Sequence, residues 1–162
     1  MKVYIKNVWD LVREDSEVTN ENNEPVFTVR GNYFSFGKKK KIYAISGTHL
    51  YTVRNRIFNF LSHKVYVDDA EGKRVATVKK GMFSISGKYK ILDTEDKMAI
   101  DGNFFGRKSF ITRNGEDVAS VTKEFTFFVD AYVLAADEKD IPFFTALVIA
   151  LDNLRDKRQR NN

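Results

Sequence analysis

The chain has 162 residues, 43% of them hydrophobic, enough for one domain with its own core and too few for two. The absence of cysteine excludes disulfides, zinc–thiolate centres and a cysteine nucleophile, and fits a reducing compartment. A formal net charge of +5 is a mild basic excess that suits an anionic partner as well as plain solubility.

The chain opens with MKVYIKNVWD, where Lys2, Lys6 and Asp10 interrupt the apolar residues. A signal peptide needs an unbroken apolar stretch, so the protein is expected to be cytoplasmic. Lys2–Lys6 alternates as a strand does, and Trp9 is a core or barrel-rim candidate. Arg13–Glu24 (REDSEVTNENNE) is polar throughout and is expected to be a loop. From there to residue 135 the pattern is short, alternating, β-branched and aromatic, which is the signature of strands. The expected strands are Val26–Arg30, Lys40–Ile45, Leu50–Arg54, Lys64–Asp68, Arg74–Lys79, Lys88–Leu92, Met98–Gly102, Ser109–Arg113, Asp117–Lys123 and Phe127–Ala135. With Lys2–Lys6 they make eleven. Asp69–Gly72, Asp93–Lys97 and Asn114–Gly115 read as hairpin turns, and successive hairpins make an antiparallel meander. Phe104 and Phe105, in GNFFGR, are expected to plug a barrel end.

A repeat runs through these strands. Val26–Ile42 aligns with Val75–Ile91 at an offset of 49, and Gly115–Lys123 is a weaker third copy of Gly72–Lys80. Strand-rich repeats in a short chain suggest a closed barrel, which leaves no exposed edge. Within the copies Phe27, Val29, Ala76, Val78, Ala119 and Val121 share one face, and Thr28, Arg30, Thr77, Lys79, Ser120 and Thr122 share the other. The apolar set therefore points inward, and two of its members are small Ala residues that leave space.

Ile141–Leu151 (IPFFTALVIAL) fills that space. It is apolar all round apart from Thr145, so as a helix it must be buried all round. Asp140 is a candidate cap, and Pro142 falls in the first turn, where its missing N–H costs little. Eleven residues at about 1.5 Å each span roughly 16 Å, the height of a short strand. Membrane spanning takes about 20 apolar residues, and this run meets Asp152, Arg155 and Asp156. The expected organisation is one domain over 1–162, with a central helix at 141–156 and a basic tail at 157–162.

Few motifs carry chemistry. Lys38–Lys41 (KKKK), joined by Lys79 and Lys80 in the second copy, suits phosphate or anionic lipid; it suits equally a charged strand edge that blocks aggregation. Arg54, Arg56, Arg107 and Lys108 would extend such a patch if the fold gathers them. The tail Arg155–Arg160 (RDKRQR) is either a solvated helix end or a further anion contact. Asp137, Glu138 and Asp140 offer three carboxylates, a thin basis for calcium, which takes six to eight oxygens. DTED (Asp93–Asp96) reads as a turn. His49 and His63 lack the ligand partners of a zinc site, and no GxSxG or P-loop spacing is present. The basic and aromatic residues lack the signature of RNA-binding sheets, which argues against a nucleic-acid partner. No cofactor or metal ligand set is expected.

The ordered set FTVRGNYFSFG, VATVKK, YKILDTED, GNFFG, NGEDVASVTK, DAYVLAADEKD and FFTALVIALD resembles the LURP-one-related family in its bacterial branch, from about residue 2 to residue 156. That family is similar in fold to the tubby C-terminal domain and the phospholipid scramblases. The resemblance implies a mainly β fold: a closed antiparallel twelve-stranded barrel around a central buried hydrophobic C-terminal helix. It implies a binding or scaffold domain and no enzyme. The tubby branch is tethered to membranes by surface Lys and Arg that hold phosphoinositide headgroups, and the scramblase branch is membrane-associated and binds calcium before its terminal helix. The terminal helix here is too short and too promptly charged for lipid scrambling. The expected role is docking on anionic phospholipid, peripheral to a membrane, through Lys38, Lys39, Lys40, Lys41, Lys79 and Lys80. The alternative is a protein–protein interaction module with no lipid role.

Overall fold

The computed structural model describes residues 1–6, 15–32, 39–56, 64–80, 89–102, 108–125 and 130–159. Twelve strands form one closed antiparallel ring in which each pairs with its neighbours in sequence and the last returns to the first. They are β1 (Lys2–Lys6), β2 (Asp15–Asn20), β3 (Pro25–Asn32), β4 (Lys39–Ala44), β5 (His49–Asn55) and β6 (Lys64–Asp69). The ring continues with β7 (Arg74–Lys80), β8 (Tyr89–Leu92), β9 (Met98–Gly102), β10 (Lys108–Arg113), β11 (Glu116–Phe125) and β12 (Asp130–Ala136). One 3₁₀ turn, Glu138–Asp140, leads into helix α1, Ile141–Gln159.

The strand β2 corrects the expectation of a loop over Arg13–Glu24. Its inward positions are polar apart from Val18: Ser16 lies opposite the buried Val29 and Asn20 opposite the buried Val3. One inward side chain, Val18, is buried, and its register with Ile5 and Phe27 ties the strand into the wall. A short wall strand needs only one such residue to fix its register. The segment 7–14, with Trp9, lies outside the described residues.

The repeat explains the strand number. Its three copies begin β3, β7 and β11, four strands apart around the ring. Equivalent inward residues occupy the same places in the core: Phe27, Ala76 and Ala119 in one layer, Val29, Val78 and Val121 in the next, all buried. The hairpins follow the sequence signals. Asn114 and Gly115 have φ of 55° and 93°, the left-handed pair that a tight two-residue turn requires and that Asn–Gly supplies at least cost. The Asp69 N–H bonds the Lys73 carbonyl at 2.8 Å, closing the β6–β7 turn.

Helix α1 packs against β5, β6, β7 and β12. Every residue from Phe144 to Leu154 is buried, so the helix has no solvent face over three turns, and the alanines at 76 and 119 admit it. At about 1.5–3 kcal/mol per large side chain, burying Phe144, Leu147, Ile149 and Leu151 contributes on the order of 10 kcal/mol. No helix among the described residues is long and apolar enough to cross a membrane. The helix runs beyond the expected end at residue 156 to Gln159, so the basic tail begins as helix; its side chains lie outside the described residues. Asp140, expected as a helix cap, engages a different partner: its two carboxylate oxygens accept from Arg113 Nη2 at 3.1 Å and Nη1 at 3.3 Å, pinning the helix start to the end of β10.

Candidate anion-binding surface

In β6, Val65 and Val67 are buried and point at the helix, so alternation sends Lys64, Tyr66 and Asp68 outward. The register then sets their neighbours. Lys64 lies opposite Lys79 of β7, and Lys79 lies opposite Lys90 of β8. The Arg56 N–H bonds the Lys64 carbonyl at 3.2 Å, placing Arg56 beside them. Four cations therefore stand in one row across four adjacent strands, roughly 14 Å from end to end at about 4.8 Å per strand. Arg56 and Lys90 are exposed, and Lys64 and Lys79 half-buried. Among the described residues none of the four has an ion pair or a side-chain hydrogen bond. Like charges directly opposite each other across strands are unfavourable, and here two such pairs run in succession.

Further along the same strands the cations are held differently. Arg54 lies opposite Tyr66, and Asp68 lies opposite Arg74. The Nε of Arg54 donates to Asp68 Oδ2 at 2.6 Å and the Nε of Arg74 to Asp68 Oδ1 at 3.3 Å. Both guanidiniums also sit over the Tyr66 ring, at 5.3 and 3.6 Å from its centroid. The Asp68 side chain is 7% exposed while those of Arg54 and Arg74 are 38% and 35% exposed. The carboxylate is roofed by the two arginines.

The described lysines of the KKKK run do not share one face. Lys38 lies outside the described residues, and Lys39, at the start of β4, is exposed. Lys41 lies opposite Arg30 and Thr52 on the outer face. Lys40 lies opposite Gly31 and Val53 and alternates with the buried Ile42, so it belongs to the inward set. The pleat alone divides consecutive lysines between two faces. Lys79 is in the row, three strands away from β4. Lys80 ends β7, and its side chain lies outside the described residues. Arg54 and Arg56 belong to the surface, whereas Lys108 lies two strands beyond β8, over the Phe110 ring at 4.9 Å, and Arg107 lies outside the described residues. Lys64 was missed by motif reading because it stands alone in the sequence; counting back from the Asp69–Gly72 turn puts it opposite Lys79. Lys90 is the repeat partner of Lys41, as Lys79 is of Arg30, so the first two copies each set a cation against a cation.

The other candidates have structural partners. His49 Nε2 lies 3.1 Å from the Tyr51 carbonyl and 3.0 Å from Thr52 Oγ1; His63 lies outside the described residues. Asp140 is engaged by Arg113, whose pKa is pushed up first by that hydrogen bond and then by the charges of Asp140, Asp96 and Asp137. Asp137 and Glu138 are exposed, and among the described residues no group of three His, Asp or Glu is placed to hold a metal ion. In DTED, Asp93 accepts from Thr77 Oγ1 at 2.5 Å and Asp96 from Asn114 Nδ2 at 3.0 Å, as a hairpin turn packed on its neighbours does. Phe104 and Phe105 lie outside the described residues.

Against known proteins, the chain is 28% identical to the uncharacterised protein YxjI of Bacillus subtilis (strain 168) over 155 residues, covering 94% of this chain and 92% of that one. No solved structure matches it. The model of one family, described as LURP-one-related, matches residues 1–152, all twelve strands and most of the helix, and the chain belongs to the LURP-one-related family.

Proposed function

We propose that this chain is a non-enzymatic binding domain that docks, peripherally and from the cytoplasmic side, on membranes rich in anionic phospholipid, through the outer wall of β5–β8. The observation that carries this reading is the row Arg56, Lys64, Lys79 and Lys90, which has no carboxylate partner among the described residues. A barrel wall gains nothing in stability from two successive like-charge pairs; an anionic surface facing them turns the same arrangement into an attraction. Each Lys or Arg near such a surface contributes about 1 kcal/mol, so the row contributes about 4 kcal/mol, enough for reversible docking. A binding role also suits a barrel whose interior holds its own buried helix.

Co-sedimentation with vesicles tests it. The chain should pellet with vesicles of phosphatidylcholine containing phosphatidylglycerol, remain in the supernatant with phosphatidylcholine alone, and be released as salt shortens the Debye length from about 10 Å at 0.1 M to about 3 Å at 1 M. Equal partition onto neutral and anionic vesicles, or none onto either, refutes the reading.

A further inference from the structure

The row supplies charge without geometry; the cluster beside it supplies geometry. We propose that Arg54 and Arg74, oriented by Asp68 and Tyr66, form a site for a phosphate monoester, so that docking selects lipid headgroups ending in a phosphate over phosphodiester headgroups of the same charge. The inference rests on the docking reading above and adds a specific headgroup contact to it.

Each guanidinium commits only its Nε to Asp68. Among the described residues the Nη groups of both arginines have no acceptor. Arg presents its donors as a rigid planar fork that matches phosphate oxygens two at a time. Two forks held on one carboxylate and one ring together offer donors for three or four acceptor oxygens. A phosphate monoester has three terminal oxygens and a charge near −1.5 to −2 at neutral pH; a diester has two non-bridging oxygens and one charge. The charge of Asp68 is offset by the two arginines bonded to it, which leave one net positive charge at the site. It fixes both forks in advance, and the Tyr66 ring restrains them further at 5.3 and 3.6 Å, which lowers the ordering cost of binding. Lys64, two residues along β6 from Tyr66, adds a charge without an ion pair at the edge of the site.

The test compares phosphatidylcholine vesicles carrying phosphatidate with vesicles carrying phosphatidylglycerol, adjusted to the same zeta potential. The full chain should bind the phosphatidate vesicles several-fold more tightly. The double variant Arg54→Lys/Arg74→Lys keeps the charge and removes the forks; it should lose that preference while binding phosphatidylglycerol as before, with its fold checked by circular dichroism. Millimolar glycerol 3-phosphate should lower binding to phosphatidate vesicles to the phosphatidylglycerol level and leave binding to phosphatidylglycerol unchanged. Equal binding at matched potential, or a preference that survives the double variant, overturns the site and leaves the docking reading intact. Binding of glycerol 3-phosphate by calorimetry with no binding to any vesicle overturns the lipid source, and with it the docking reading.

Discussion

Arg54 and Arg74 stand on the same outer wall as Lys64 and Lys79, further along the same strands, and the two pairs are held in opposite ways. The arginines share a buried carboxylate and an aromatic ring; the lysines oppose each other with no acid between them. In the arginine cluster two positive charges and one negative leave a single net charge, fixed in direction. In the row, charge accumulates and is left to solvent. Neutralised cations stabilise a wall and cations left without counter-charge cost it stability, so the lysine row is the part of the surface that folding alone does not account for.

The comparison breaks most visibly at Asp68. Asp68→Ala leaves two half-buried guanidiniums without their shared acceptor. Removing one partner of a buried ion pair costs about 3–5 kcal/mol, and the partial exposure of the arginines reduces this to about 2 kcal/mol, read as a lower urea midpoint. If stability is unchanged, the cluster is no more than a surface ion pair. Next comes charge reversal in the row. Lys79→Glu replaces two like-charge contacts with two attractive ones, so stability should rise by about 0.5 kcal/mol. Vesicle affinity should fall by about 2 kcal/mol, close to thirtyfold. Opposite signs for folding and docking are the signature of a residue kept at the expense of stability; a fall in both would return Lys79 to an ordinary wall position. Lys64→Gln removes one charge from the row and should weaken docking by about 1 kcal/mol, roughly fivefold, with a slight gain in stability.

The fold was largely legible because its signals are local or repeated. Alternation marked the inward Val and Ala positions, Asn114–Gly115 marked its own turn, and an apolar run with no polar face had to lie in an interior. β2 was not legible, since Val18 is its one apolar inward residue and Ser16 and Asn20 on the same face are as polar as a loop. The surface was legible only in part. Lys79, Arg54 and Arg56 were in view as charges, but a patch is a property of register, and Lys64 becomes a neighbour of Lys79 only once the β6–β7 hairpin is closed. Four consecutive lysines drew attention as a run, and alternation is what puts Lys40 on the inner side. Asp68 gave no sequence signal at all; two arginines six and fourteen residues away meet at it through two different strand pairings.

The smallest effect separates this outer wall from the interior it encloses. Tyr51 is an inward residue of β5, its ring 6.0 Å from that of Phe143 at the start of the helix. Burial, and then the charges of Asp69 and Asp140, push its pKa above the ordinary 10.0. An unfolded chain ionises this phenol near pH 10, while the folded chain holds the proton to higher pH. The unfolded state therefore binds fewer protons than the folded state in that window, and stability falls as pH rises. The contribution is complete below about pH 10 and is lost as pH climbs through the folded value. Urea unfolding of the wild type and of Tyr51→Phe should give parallel stabilities at neutral pH that diverge above about pH 10, the wild type losing more. The same substitution should leave vesicle docking at neutral pH unchanged, because Tyr51 belongs to the inward set and the cation row to the outward one. A change in docking would mean that the inner and outer sides of β5 are coupled, and that the wall is not the independent surface its alternation makes it.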